Sequence, residues 1–155
     1  MTFKSLLLGA LLALSPLSLS NPPEAPMPTR YTSAHDFPTT LQRLRDGLSA
    51  KGLTLFATID HRAEAEKLGL NLQPATVLIF GNPAVGTPLM RARPALALEL
   101  PLKLLITEED GQTRVYFHRP RDLLALDPTP LPTEAQAAAD KLQAVETLLQ
   151  KLLEP

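Results

Sequence analysis

"VLIFGNPAVGTPLM" (residues 77–90) is the stretch on which the fold turns. An apolar run ends at Phe80 and gives way to a segment with glycines at Gly81 and Gly86. A buried strand feeding a glycine-bearing connection is how a phosphate-binding loop begins, so the spacing is tested against that chemistry. A P-loop needs G-x-x-x-x-G-K-[ST]: backbone N–H groups cradle phosphate, the lysine neutralises it and the hydroxyl reaches magnesium. Gly81 and Gly86 have the outer spacing, but Thr87 stands at the lysine position and Pro88 at the hydroxyl position. Pro83 removes a further backbone donor. The G-x-G-x-x-G spacing of dinucleotide sites is absent as well. The segment therefore reads as a tight, rigid connection fixed by glycines and prolines, and not as a nucleotide site.

The flanking elements follow from periodicity. "ATVLIF" (75–80) is apolar at consecutive positions, which predicts a central strand covered on both faces. "LKLLITEEDGQTRVYFH" (102–118) predicts a hairpin, because Asp110-Gly111 supplies the positive φ angles of a tight turn. "LTLFATID" (53–60) alternates as a strand with Leu53, Leu55, Ala57 and Ile59 on one side, and "RYTSAH" (30–35) is a short first strand. Asp36 is placed to cap a helix whose Phe37, Leu41, Leu44 and Leu48 recur at helical spacing up to Gly52. "RAEAEKLG" (62–69) is a short helix. A final helix carries the stripe Ala138, Leu142, Val145, Leu149 and Leu152, with Thr133 and Gln136 at capping-box spacing. "PLMRARPALALELPL" (88–102) is apolar and helix-compatible. Its Met90, Leu96, Leu98 and Leu100 are expected in the core, with a dimer contact or ligand groove as other uses. These elements sum to an α+β domain: an antiparallel sheet of four to five strands backed by two main helices.

At 155 residues, 45% of them hydrophobic, the chain has material for one core and little for a second. A formal net charge of −1 provides no overall field for nucleic acid or an anionic membrane. The lack of cysteine excludes disulfides, thiol catalysis and thiolate metal sites. Residues 1–20 read as a secretory signal: Lys4, then "SLLLGALLALSPLSLS", with small residues at Ser18 and Ser20. The unbroken apolar run from Leu6 to Leu14 is far short of the roughly 20 residues a spanning helix needs. Proline-rich residues 21–29 read as a linker and 30–155 as the single domain. The expected location is periplasmic or secreted, or membrane-tethered if the N-terminal segment is retained.

Candidate chemistry is sparse. His61 follows Asp60, and a neighbouring carboxylate can orient an imidazole, although sequence neighbours on a strand face opposite ways. His35, His61 and His118 lie on separate segments without H-x-x-x-H or H-E-x-x-H spacing, so no metal site and no cofactor site is assigned. No serine stands in a nucleophile elbow. In "RVYFHRPR" (114–121), Arg114, Tyr116 and His118 share a strand face that could stack bases. With charge near balance, the stretch reads instead as the solvent side of a hairpin whose Val115 and Phe117 face the core.

Residues 59–120 resemble the bacterial domain-of-unknown-function family 302. The resemblance rests on Asp60-His61 with Ala65, on Gly69-Leu70, on Phe80–Pro83 followed by Gly86–Met90, and on Leu100–Ile106 with Glu109 and Gly111. It implies a TATA-binding-protein-like α+β fold and a homodimer, and no agreed activity. The chain departs from the family pattern at His118-Arg119-Pro120, where an Asn-Asp-Pro turn is usual. "DLLALDPTPLP" also replaces the Arg-His-Gly segment that often follows.

The expected function is a non-enzymatic module that binds a small apolar ligand or a protein partner, with Asn82, Thr87 and Glu99 as candidate ligand-binding residues. No nucleic acid and no membrane beyond the export signal are expected as partners. The alternative is a hydrolase- or lyase-like enzyme with His61 as acid or base beside the FGNP block. In a third, architectural reading Asn82 fixes a turn, Pro83 and Pro88 stiffen it, and Met90 plugs the core.

Overall fold

The computed structural model describes residues 27–155. The expected signal (1–20) and most of the expected linker lie outside the described residues. In chain order the elements are β1 (Thr29–Thr32), α1 (Phe37–Ala50), β2 (Thr54–Asp60), α2 (His61–Glu66), β3 (Ala75–Gly81), α3 (Pro83–Ala92), a 3-10 turn (Pro94–Leu98), β4 (Leu102–Glu109), β5 (Gln112–Phe117), α4 (Pro120–Ala125) and α5 (Thr133–Leu153). The five strands form one antiparallel sheet in the order β1-β5-β4-β3-β2, so β3 is interior and β2 is an edge. β1 begins at Thr29, one residue inside the expected linker, and pairs there with Phe117.

The β4–β5 hairpin forms where the Asp-Gly pair predicts it. Asp110 (φ 51°) and Gly111 (φ 72°) both adopt the left-handed conformation that matches strand twist in a two-residue turn. Alternation then sends Leu102, Leu104, Ile106, Val115 and Phe117 to one face, where they join Leu78 and Phe80 of β3 in the core. Helix α1 contributes Leu44 and Leu48 to this core, and α5 contributes Leu142, Val145 and Leu149. Strand β3 is not covered on both faces as its composition predicts. Val77 and Ile79 are only half-buried, sheltered sideways by their cross-strand partners Ile59 with Leu105 and Ala57 with Lys103.

Strand β2 departs from its expected alternation. Leu55 pairs with Phe80 but Ala57 pairs with Ile79, so Phe56 is an extra residue in a β-bulge. A bulge resets the two-residue period. Leu53 and Leu55 therefore pack against the core, while Ala57 and Ile59 cross to the other side and Ile59 is exposed.

The segment after Phe80 is also not a turn: it is helix α3. Asn82 is its N-cap, with Oδ1 accepting the Ala84 N–H at 2.9 Å, and Pro83 occupies the first helical position, where no N–H is needed. Pro88 lies inside the helix and leaves the Ala84 carbonyl without its usual donor, which is tolerable because Ala84 is exposed. Helix α3 packs on α5 as a third member of the backing layer beside the two expected helices.

At 21 residues, α5 is about 32 Å long and contacts α1, α3, α4 and β1. Its expected capping box does not form. Thr133 is already helical, the N-cap is Pro132, and the Gln136 side chain donates to Asp140 instead. The C-terminal carbonyls of α5 are satisfied from α1 and its lead-in. Arg43 donates to Leu152 O at 3.1 Å and to Glu154 O at 3.2 Å, and Ala34 N donates to Leu153 O at 2.9 Å. Asp36 caps α1 as expected; the hydrogen bond from Thr39 holds its carboxyl below the usual carboxylate range.

Candidate functional site

Three features converge at one end of the sheet: the bulge in β2, the start of α3, and the Leu100–Pro101 segment that enters β4. Between them lies a cavity of about 220 Å³. Its floor is Leu102 and Leu142, both buried. Its walls are Gly81, Gly86, Met90 and Leu100, and its rim is Phe56, Asn82, Pro83, Thr87 and Pro101. The opening lies at the rim, where Phe56, Pro83, Thr87 and Pro101 are exposed to solvent.

Each wall follows from local sequence. Gly81 ends β3 without a side chain; a methyl added there would lie 3.5 Å from Pro101 Cβ and 3.6 Å from the Phe56 ring. Gly86 faces the cavity from α3, and a methyl on it would lie 3.7 Å from both Leu100 Cδ1 and Met90 Cε. The two glycines of the FGNP block thus leave space that side chains would otherwise fill. Phe56 reaches the rim because it is the bulged residue. None of the lining side chains is ionisable. The polar groups are the Thr87 hydroxyl and the Asn82 amide, whose oxygen is committed to the α3 cap.

The N-terminus of α3 offers no anion cradle, although the strand-to-helix connection is of the kind a P-loop uses. Pro83 has no N–H, the Ala84 N–H goes to Asn82 Oδ1, and the Val85 and Gly86 N–H groups both go to Asn82 O at 2.9 Å. The donors that would hold phosphate are already used.

Of the candidate residues, Asn82 and Thr87 come together at the cavity. Glu99 does not line it, but precedes Leu100, which does. His61 is elsewhere. Asp60 pairs with Thr76 and Thr54 pairs with Gly81, so His61 and Asn82 follow opposite ends of the β2–β3 pair. Five strand residues separate those ends by about 17 Å. The enzyme geometry that places His61 beside the FGNP block is therefore corrected: the two share no cleft. His61 is exposed at the first position of α2. Asp60 does not orient it, because Asp60 Oδ1 caps that helix by accepting the Ala63 N–H at 3.0 Å.

The other histidines are also accounted for. His35 Nε2 lies 3.0 Å from Glu154 O, and His118 follows β5, its buried Nδ1 having no hydrogen-bond partner among the described residues. Among the described residues, no group of three or more His, Cys, Asp or Glu side chains could hold a metal ion. In "RVYFHRPR", Val115 and Phe117 are buried, Arg114 donates to the Thr32 hydroxyl, and the Tyr116 hydroxyl lies 2.8 Å from both Glu109 oxygens.

Sequence reasoning left Phe56, Pro101 and Leu142 out of the site and gave Met90 and Leu100 to the core by default. Phe56 carried a signal: it is an aromatic residue between Thr54 and Thr58, on the polar side of the apparent alternation.

Comparison with known proteins agrees with this architecture. The family model described as "Domain of unknown function DUF302" matches residues 29–149. The crystal structure of an uncharacterized conserved DUF302 protein from Bacillus stearothermophilus superposes with a TM-score of 0.65 at 20% identity, over 82% of this chain and 95% of that one, and so shares the fold. An 85-residue stretch is 37% identical to a protein named "Fluoride-specific ion channel FluC 1" from Brucella suis biovar 1 (strain 1330), covering 55% of this chain and 33% of that protein. The same stretch length and identity relate it to "Fluoride-specific ion channel FluC 1" of Brucella abortus biovar 1 (strain 9-941), covering 31% of that protein. The chain spans about a third of the length of these curated relatives.

Proposed function

The chain belongs to the family DUF302, and from that premise we propose that it is a non-enzymatic binding module whose FGNP block builds a receptor for a small apolar ligand. The observation that carries this reading is the cavity itself. It has an apolar floor, two side-chain-free glycine walls and no ionisable group among its lining residues. Small-molecule sites are concave and mostly apolar, with a few polar groups at the edge, and this cavity has that composition. Proton-transfer chemistry needs a positioned acid or base within hydrogen-bond reach, and the lining supplies none.

The test is an NMR titration with toluene. Binding is expected to shift the backbone amides of Gly81, Gly86 and Thr87 saturably and to leave that of His61 in place. A titration in which the three amides do not respond, or in which the shifts centre on His61, defeats the reading.

The fluoride-channel names are not carried over to this chain. Among the described residues no helix is long and apolar enough to cross a membrane. We read the shared stretch as a binding module that those proteins carry in addition to a channel. We also propose that residues 1–20 direct export and are removed. The mass of the protein purified from its natural host is expected to correspond to a chain starting at Asn21, and a chain retaining Met1 overturns the cleavage.

A further inference from the structure

The dimensions and lining of the cavity go beyond "small and apolar". Resting on the reading above, we infer that its ligand is a neutral, planar molecule of about nine non-hydrogen atoms with one hydrogen-bonding group, a fused bicyclic ring in size and shape.

Size comes first. An apolar cavity of about 150 Å³ accommodates benzene, with six heavy atoms. Scaling to the 220 Å³ here gives roughly nine. The cavity opens at its rim, so this is the part of a ligand held inside it: a bicyclic ring fits whole, whereas a long acyl chain or a nucleotide would leave most of its surface in solvent.

Shape follows from the walls. Phe56, Pro83 and Pro101 present rings at the rim, and Gly81 and Gly86 present bare backbone where side chains would otherwise project. Rigid rings and bare backbone favour a flat occupant over a flexible one. An aromatic occupant also gains offset contacts with Phe56 and a sulfur–ring contact with Met90. A rigid ring loses less rotamer freedom on binding than an alkyl chain of equal size.

Charge follows from what is missing. No lining side chain is ionisable: of the two cations at the end of α3, Arg91 does not line the cavity and Arg93, the C-cap, is turned away to Leu124 O and Asp127. A charged ligand would be desolvated without a partner. Neutral polarity is provided for at the rim. The Asn82 oxygen caps α3, and among the described residues neither its amide N–H groups nor the Thr87 hydroxyl has a hydrogen-bond partner.

Four probes separate these claims in the full-length protein: indole (nine heavy atoms, flat, one N–H), naphthalene (flat, no polar group), 1-octanol (nine heavy atoms, flexible, one hydroxyl) and indole-3-carboxylate (flat, charged). Binding is read from the Gly86 and Thr87 amide shifts. Indole is expected to bind at least fivefold more tightly than 1-octanol and at least tenfold more tightly than indole-3-carboxylate. Thr87→Val is expected to weaken indole about fivefold, the loss of roughly one hydrogen bond, and to leave naphthalene within twofold. If 1-octanol matches or exceeds indole, planarity is refuted while the apolar-ligand reading stands. If the carboxylate matches indole, neutrality is refuted. If Thr87→Val weakens indole and naphthalene equally, or neither, the hydrogen-bonding group is refuted. If toluene and all four probes fail on folded protein, both readings fall together.

Discussion

Phe80→Ala is expected to destabilise the domain by about 3–5 kcal/mol, the range for deleting a fully buried phenylalanine. Phe80 has no exposed surface, sits on an interior strand between Leu55 and Leu102, and stacks against Phe117 with ring centroids 6.5 Å apart and planes at 26°. Truncation removes the ring's transfer free energy and its aromatic pairing. It also leaves a hole beneath three strands that cannot collapse without breaking sheet hydrogen bonds. Against a typical total of about 5–15 kcal/mol, the variant stands near the edge of folding. Its melting temperature is expected to fall by on the order of 10–20 °C. Phe80→Leu conserves most of the volume and is expected to cost about 1.5 kcal/mol or less. Urea denaturation followed by circular dichroism measures both, and a Phe80→Ala loss below 1 kcal/mol contradicts this account of the core.

Gly86→Leu is expected to do the reverse to stability and to abolish binding. Glycine inside a helix costs about 0.8–1.0 kcal/mol relative to good helix formers, so replacing it in α3 gains close to that amount. The new side chain starts 3.7 Å from Leu100 Cδ1 and Met90 Cε and extends into the cavity, where it is buried against apolar walls. The melting temperature is expected to rise by about 3–5 °C for each kcal/mol gained. Affinity for toluene or indole is expected to fall by more than tenfold, because the space is taken. The pairing of the two outcomes is diagnostic. A residue that lowers stability where it stands, and whose replacement removes only ligand binding, is kept for the opening it leaves. If Gly86→Leu binds toluene like the wild type, the cavity is not the binding site.

The two variants divide the FGNP block by function. Phe80 is core, Gly81 is cavity wall, Asn82 is a helix cap and Pro83 is the first residue of α3. Sequence reasoning took the block as one rigid turn because its glycines and prolines are turn formers at the end of a buried strand. It gave too little weight to Asn-Pro, which is a strong helix start. The hairpin, α1, β3 and the stripe of α5 were legible because each rests on local chemistry: a turn pair with positive φ, a capping aspartate, or an apolar period. What was not legible depends on register. No local feature says that Leu55 and Ala57 pair with adjacent residues of β3, yet that one-residue slip sends Ala57 and Ile59 to the opposite face and brings Phe56 to the cavity. The separation of His61 from Asn82 is likewise a property of strand pairing. Within the site, Asn82 and Thr87 could be found from the motif, whereas Leu142 is more than fifty residues further along the chain and arrives only through the packing of α5.

The bulge at Phe56 has a second consequence, for the outside of the molecule. Among the described residues strand β2 is an edge of the sheet, and "LTLFATI" (53–59), ahead of Asp60 at its end, has no charge, proline or glycine to interrupt it. A flat edge of that composition is a template on which a strand from another chain can add, and repetition of that event is aggregation. The extra residue breaks the regular spacing of outward-facing N–H and C=O groups midway along the strand and twists it. An incoming strand therefore loses register after two or three residues. One inserted residue both rims the cavity and makes the edge a poorer template for a further strand.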